Sequence, residues 1–102
     1  MATITSIRIK AELVFNNHAG ESFRFPINNP VRISIWTNGA RYSTFSEISS
    51  SSAMLLDSVN EVNIEFPSDY LNRQIVKGDE FHVGTFPWII GYVKVLQVVN
   101  SL

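Results

Sequence analysis

Cysteine is absent from this chain. Disulfides, thiolate nucleophiles and zinc–thiolate sites are thereby excluded. Histidine is scarce, with only His18 and His82. A metal site would need carboxylates to complete it, so neither metal nor cofactor is expected. Neither sign of charge dominates: 8 Lys and Arg against 9 Asp and Glu leave a formal charge of −1. A nucleic-acid binder draws most of its affinity from neutralising phosphates and usually shows a basic excess, which is missing here. No apolar run approaches the ~20 residues that span a bilayer. The longest, Trp88 to Val99, is broken by Gly91, Lys94 and Gln97. Met1-Ala2-Thr3-Ile4-Thr5-Ser6 shows no basic stretch leading into an apolar core, so no secretory signal is expected. Neither a G-x-x-x-x-G-K-[ST] phosphate loop nor a G-x-S-x-G nucleophile elbow occurs. A cytoplasmic protein without a membrane segment, forming one domain over residues 1–102, is the expectation.

What the chain does contain is alternation. Ile7, Ile9, Ala11, Leu13 and Phe15 fall on one face and Arg8, Lys10 and Glu12 on the other, the period-two mark of a half-buried strand. Asn16-Asn17-His18-Ala19-Gly20 reads as a turn, because Asn and Gly tolerate positive φ. Val31, Ile33 and Ile35 define a second strand. Asn38-Gly39 follows as a hairpin signal of the type I′ kind between Val31–Thr37 and Arg41–Ile48. Ser49 to Ser52 reads as a mobile loop, and Ala53-Met54-Leu55-Leu56 as a short strand or one helical turn capped by Ser52, the strand being preferred among strand neighbours. Val62, Ile64 and Phe66 alternate up to Pro67, which ends their strand. Phe81 and Val83 form a short strand, and Trp88 to Val99 a long one with a bulge or bend at Gly91. Short strands recurring every ~8–12 residues predict an all-β domain, a closed antiparallel Greek-key-type barrel of six to eight strands.

The candidate chemistry is thin. Asp79 and Glu80 are adjacent, and adjacent strand residues point to opposite faces, so Lys77-Gly78-Asp79-Glu80 reads as a turn and not an acid–base pair. His82 points away from Phe81 and Val83, toward solvent or a hydrogen-bond partner, and His18 sits in a solvated loop. No enzyme is expected. Arg8, Lys10, Arg24, Arg32 and Arg41, interleaved with Phe23 and Trp36, offer a basic-aromatic surface for RNA; charged outward residues that keep a barrel soluble and discourage edge pairing are the preferred explanation. Trp36 breaks parity with Ile33 and Ile35 and is expected to be exposed, with Phe86 and Trp88 in a tight turn. These three are candidate anchors for a protein partner or for self-association. Trp88 has a second reading, as a plug for the barrel end.

Laid out this way, the chain resembles the C-terminal (third) β-barrel of elongation factor Tu and related translational GTPases, as a stand-alone domain. Ile7–Phe15, Gly20-Glu21, Phe25-Pro26 and Pro30–Trp36 follow the family's opening in order. Gly78, Phe81, Val83, Ile90, Gly91, Val93, Val95 and Leu96 follow its closing strands. The resemblance implies a translation-factor-like barrel whose work is docking. Glu21 stands where the family has an arginine, and a second family arginine, expected near Phe86-Pro87-Trp88, is missing. Asp57-Ser58-Val59-Asn60 replaces a Pro-Gly-Asp turn. Those arginines serve transfer-RNA backbone binding in the family, and a carboxylate reverses the local field. RNA binding therefore does not carry over, and a small-ligand barrel or enzyme remains as a further alternative.

Overall fold

The computed structural model describes residues 6–71 and 73–101. Six strands form the wall: β1 (Ser6–Phe15), β2 (Val31–Trp36), β3 (Thr44–Ser49), β4 (Asn60–Pro67), β5 (Glu80–Thr85) and β6 (Trp88–Ser101). They close into an antiparallel barrel in the order β1-β4-β3-β2-β5-β6. The consecutive strands β2, β3 and β4 lie side by side. The long connection from β1 returns β4 to its flank, which is Greek-key winding. Closure through β1 and β6, paired from Ile7↔Ser101 to Phe15↔Gly91, leaves no free sheet edge at that seam. The rows of partners climb steeply. A row leaving β1 at Ser6↔Pro67, carried past the end of the β3–β4 ladder at Glu47↔Glu65 by extending its register, continues through Ser34↔Phe45, Ser34↔Gly84 and Gly84↔Ile89. It comes back to β1 at its far end, where Asn16 Nδ2 donates to the Ile89 carbonyl at 2.8 Å. Such stagger means strongly tilted strands.

Alternation explains the interior. Ile9, Leu13, Ile35, Ile48, Val62, Ile64, Phe81, Val83, Val93 and Val95 are all buried in one continuous core. Fully burying each such side chain contributes about 1.5–3 kcal/mol, opposed by the entropy of ordering the chain. The inward parity of β4 extends to Asn60, a polar residue that is buried. Its Oδ1 accepts from the Leu55 amide at 2.8 Å, and its Nδ2 donates among the carbonyls of Leu55 (2.9 Å), Leu13 (3.2 Å) and Ser58 (3.2 Å). This side chain ties the β3–β4 connection to β1 and satisfies the backbone groups exposed where the loop turns inward.

The connections differ from expectation in four places. The β2–β3 hairpin forms, but Asn38-Gly39 does not make a type I′ turn: only Gly39 has positive φ, at 79°, and the Ala40 amide donates to the Thr37 carbonyl at 3.1 Å. That is the pattern of a type II turn inside a longer loop. Asn16 to Gly20 uses no positive φ. Asn16 Oδ1 instead accepts from the His18 amide at 2.9 Å, and a short helix, α1 (Ala19–Ser22), follows with Ala19 buried. Residues 53–56 are not a strand; Met54 alone makes an isolated bridge, to Ile27. Of the serine run, Ser49 is the last residue of β3 and only residues 50–52 are loop, with Ser50 Oγ donating to the Glu61 carbonyl at 3.0 Å. As expected, a bulge lies beside Gly91: the β5–β6 register passes from Val83↔Gly91 to Gly84↔Ile89, leaving Ile90 extra.

Candidate functional site

Outside the core, the walls of β2, β5 and β6 carry aromatic side chains in one row. Trp36 pairs across the ladder with His82, and His82 with Tyr92. Ring centroids are 6.2 Å apart for the first pair and 5.6 Å for the second. Val14, exposed on β1, continues the row opposite Tyr92. All four have the parity opposite to core residues Ile35, Val83, Val93 and Leu13, which is why they line the exterior.

The β5–β6 turn completes this surface. Thr85↔Trp88 closes it around Phe86 and a cis Phe86–Pro87 peptide. Gly84 permits the tight fold, since a Cβ there would fall on the Trp88 carbonyl oxygen. Phe86 lies edge-on against Trp36, with centroids 5.1 Å apart and planes at 87°. Such a pair adds about 0.5–1.5 kcal/mol beyond its burial. Trp36 is consequently only 4% exposed, which corrects its reading as an exposed anchor. Parity does turn it out of the barrel, but the neighbouring turn covers it. Trp88 is 73% exposed, so it does not plug the barrel end. The structure thus joins Trp36 and Phe86 and leaves Trp88 open on the same turn.

The basic candidates are not gathered. Arg8 donates to Glu65 Oε2 at 3.0 Å, and Arg32 to Glu47 Oε2 at 3.4 Å. Glu65 and Glu47 are themselves register partners. A row Arg8–Glu65–Glu47–Arg32 therefore crosses four strands with its carboxylates in the middle. Lys10 is exposed on β1, while exposed Arg24 and Arg41 sit in loops. Two of the five thus meet carboxylates instead of presenting free guanidinium groups, and such exposed pairs contribute at most about 1 kcal/mol each to stability.

Beside this row lies a cleft of about 640 Å³. The β3–β4 ladder consists of Glu47↔Glu65, Ile48↔Ile64 and Ser49↔Asn63, and goes no further toward Thr44 and Pro67. Both strand ends line the cleft, with Ile33, Phe66 and Ile90 from the core and Phe45 at the rim. Phe45 is 81% exposed. His82 is not among the lining residues, so the cleft does not unite a histidine with the two carboxylates. His82 Nδ1 is instead buried without a hydrogen-bond partner among the described residues. No three His, Asp or Glu side chains among the described residues gather as a metal site. His18 stays exposed, with Nδ1 3.9 Å from Glu21.

Asp79 does belong to a turn. Gly78 takes φ of 94°, and the Asp79 carboxylate accepts from Arg73 Nη1 at 2.8 Å and from the Val76 amide at 2.9 Å. The Arg73 hydrogen bond, ahead of the amide, holds the carboxyl below its ordinary range despite an opposing contribution from burial. Tyr70 donates to the Tyr42 carbonyl at 2.7 Å and clasps the β2–β3 loop to the 3₁₀ turn Ser68–Tyr70. Burial raises its pKa.

Tyr92 and Val14 on the aromatic wall and Phe45 at the cleft rim are exposed apolar side chains that sequence reasoning missed. Their outward parity was available, but parity does not reveal which outward residues a loop will cover. No protein-family model and no curated protein matches the chain. Among the described residues, no helix is long and apolar enough to cross a membrane.

Proposed function

We propose that this barrel is a non-catalytic, cytoplasmic binding module that docks a protein partner through the aromatic surface around the β5–β6 turn. The observation that carries the reading is Trp88, 73% exposed on a turn braced from behind by the Phe86–Trp36 contact. A large aromatic held on a rigid turn loses little entropy on binding, and tryptophan is enriched among binding hot spots. Tyr92 and Val14 extend the apolar area along the wall. The filled interior and the arginine-paired carboxylates favour docking over catalysis. Likeness to the third barrel of elongation factor Tu remains part of this proposal, and a closed six-stranded barrel is what it requires. Self-association would use the same surface. Binding of RNA by the arginines is the less favoured reading, given the carboxylates between Arg8 and Arg32.

The test substitutes Trp88→Ser and compares sedimentation across concentration, and affinity capture, with the unchanged chain. A hot-spot loss weakens association by about 30-fold or more, while the melting temperature stays put because the side chain is exposed. Equal association by both proteins refutes the assignment of this surface.

A further inference from the structure

We propose that the cleft between β3 and β4 is a second site that accepts an extended peptide from a partner protein as an added strand. The inference rests on the binding-module reading but uses a different surface. Thr44, Phe45 and Ser46 pair with Ile35, Ser34 and Ile33 of β2 on one side. On the other side the ladder to β4 has already ended at Glu47↔Glu65. In an antiparallel strand, alternate residues aim both backbone groups to the same side, so part of this stretch directs its N–H and C=O groups into the cleft. A strand edge of that kind binds extended peptides through main-chain hydrogen bonds, with pockets for alternate side chains setting specificity. The apolar floor of Ile33, Phe66 and Ile90 is such a pocket.

Charge selects the sequence of the occupant. Glu47 and Glu65 face each other at the closed end of the cleft. Each engages its arginine through Oε2, so each keeps Oε1 as an acceptor. Arg8 and Arg32 flank the pair from the outer strands, so the two carboxylates stand side by side at the middle of the row. Both carboxylates stand at outward parity, opposite to the floor residues. A strand that buries an apolar side chain therefore presents its next side chain to the carboxylates, and a basic residue fits. The occupant is a peptide with alternating apolar and basic residues.

The probe is acetyl-Val-Lys-Val-Lys-Val-amide titrated into the ¹⁵N-labelled chain. Amide shifts confined to Thr44–Ser46, Glu65 and Phe66 are expected. Methylating alternate peptide nitrogens should weaken binding at least about tenfold by removing main-chain donors. Replacing Lys by Glu in the peptide should weaken it about fivefold, and the Glu47→Gln, Glu65→Gln double variant should erase that preference. Shifts clustered on the Trp88 turn, no response at millimolar peptide, or indifference to N-methylation would overturn the strand-addition proposal. Indifference with shifts still in the cleft would indicate a small apolar ligand. The Trp88→Ser variant should bind the peptide normally, so failure of either site is distinguishable from failure of the other.

Discussion

Replacing Asn60 by aspartate exchanges one NH₂ group for an oxygen at nearly constant shape. In the native side chain Nδ2 stands 2.9 Å from the Leu55 carbonyl and 3.2 Å from those of Leu13 and Ser58. An amide nitrogen has two hydrogens, so it serves at most two of these at once. Asn60→Asp removes both donors and sets an ionised oxygen against three carbonyl oxygens in a buried place. Each lost hydrogen bond to a buried group costs about 1–3 kcal/mol, and an uncompensated buried charge about 3–5 kcal/mol. The second figure is the ceiling here, because the new carboxyl can escape by taking up a proton, which raises its pKa above the ordinary value. An aspartate with a raised folded pKa destabilises the fold above its unfolded pKa, and the penalty shrinks as acid protonates it. A loss of about 3–4 kcal/mol is expected at about pH 7, narrowing by half or more at about pH 4.5. For a domain of this size that corresponds to a fall in melting temperature of about 15–25 °C. Thermal unfolding of both proteins followed by circular dichroism at the two pH values measures it. A melting temperature within about 4 °C of the native at pH 7, roughly the effect of 1 kcal/mol, would show that the Asn60 side chain is not the tie described. So would a deficit that acid fails to narrow.

Two further outcomes follow from local geometry. Gly84→Ala should cost about 1–3 kcal/mol or more, because its Cβ meets the Trp88 carbonyl, which cannot move without opening the turn; Gly20→Ala, whose nearest neighbour is Leu56 Cδ2 at 4.0 Å, should be neutral or slightly stabilising in the same urea titration. Asp79 has a lowered pKa in the folded chain, so its contribution is present above the ordinary carboxylate value and is lost as pH falls through the folded one; Asp79→Asn should cost about 1 kcal/mol near neutrality and flatten the acid limb of a plot of urea midpoint against pH.

Much of the architecture is written locally. Alternation in Ile7–Phe15, Val31–Ile35 and Val62–Phe66 is enough to identify strands and their inward faces, because successive strand side chains point to opposite sides whatever the partner strand is. Gly91 beside the bulge and the Gly78–Asp79 turn are legible for the same reason: their constraints reach only a few residues along the chain. Where a residue's state depended on a distant neighbour, local reading stopped. Trp36 is correctly turned out of the barrel, yet its burial comes from Phe86, which lies 50 positions further along the sequence and reaches it only through the β2–β5 pairing. Asn60 carries inward parity as an extension of Val62 and Ile64, but its role as a tie depends on a Leu13 carbonyl brought near by the β1–β4 register. The pairing of Arg8 and Arg32 with carboxylates, and the cleft where β3 and β4 part, likewise exist only once strands distant in sequence are laid side by side. Composition and periodicity decide which side of a strand faces inward; closure of the barrel decides what each outward side chain meets.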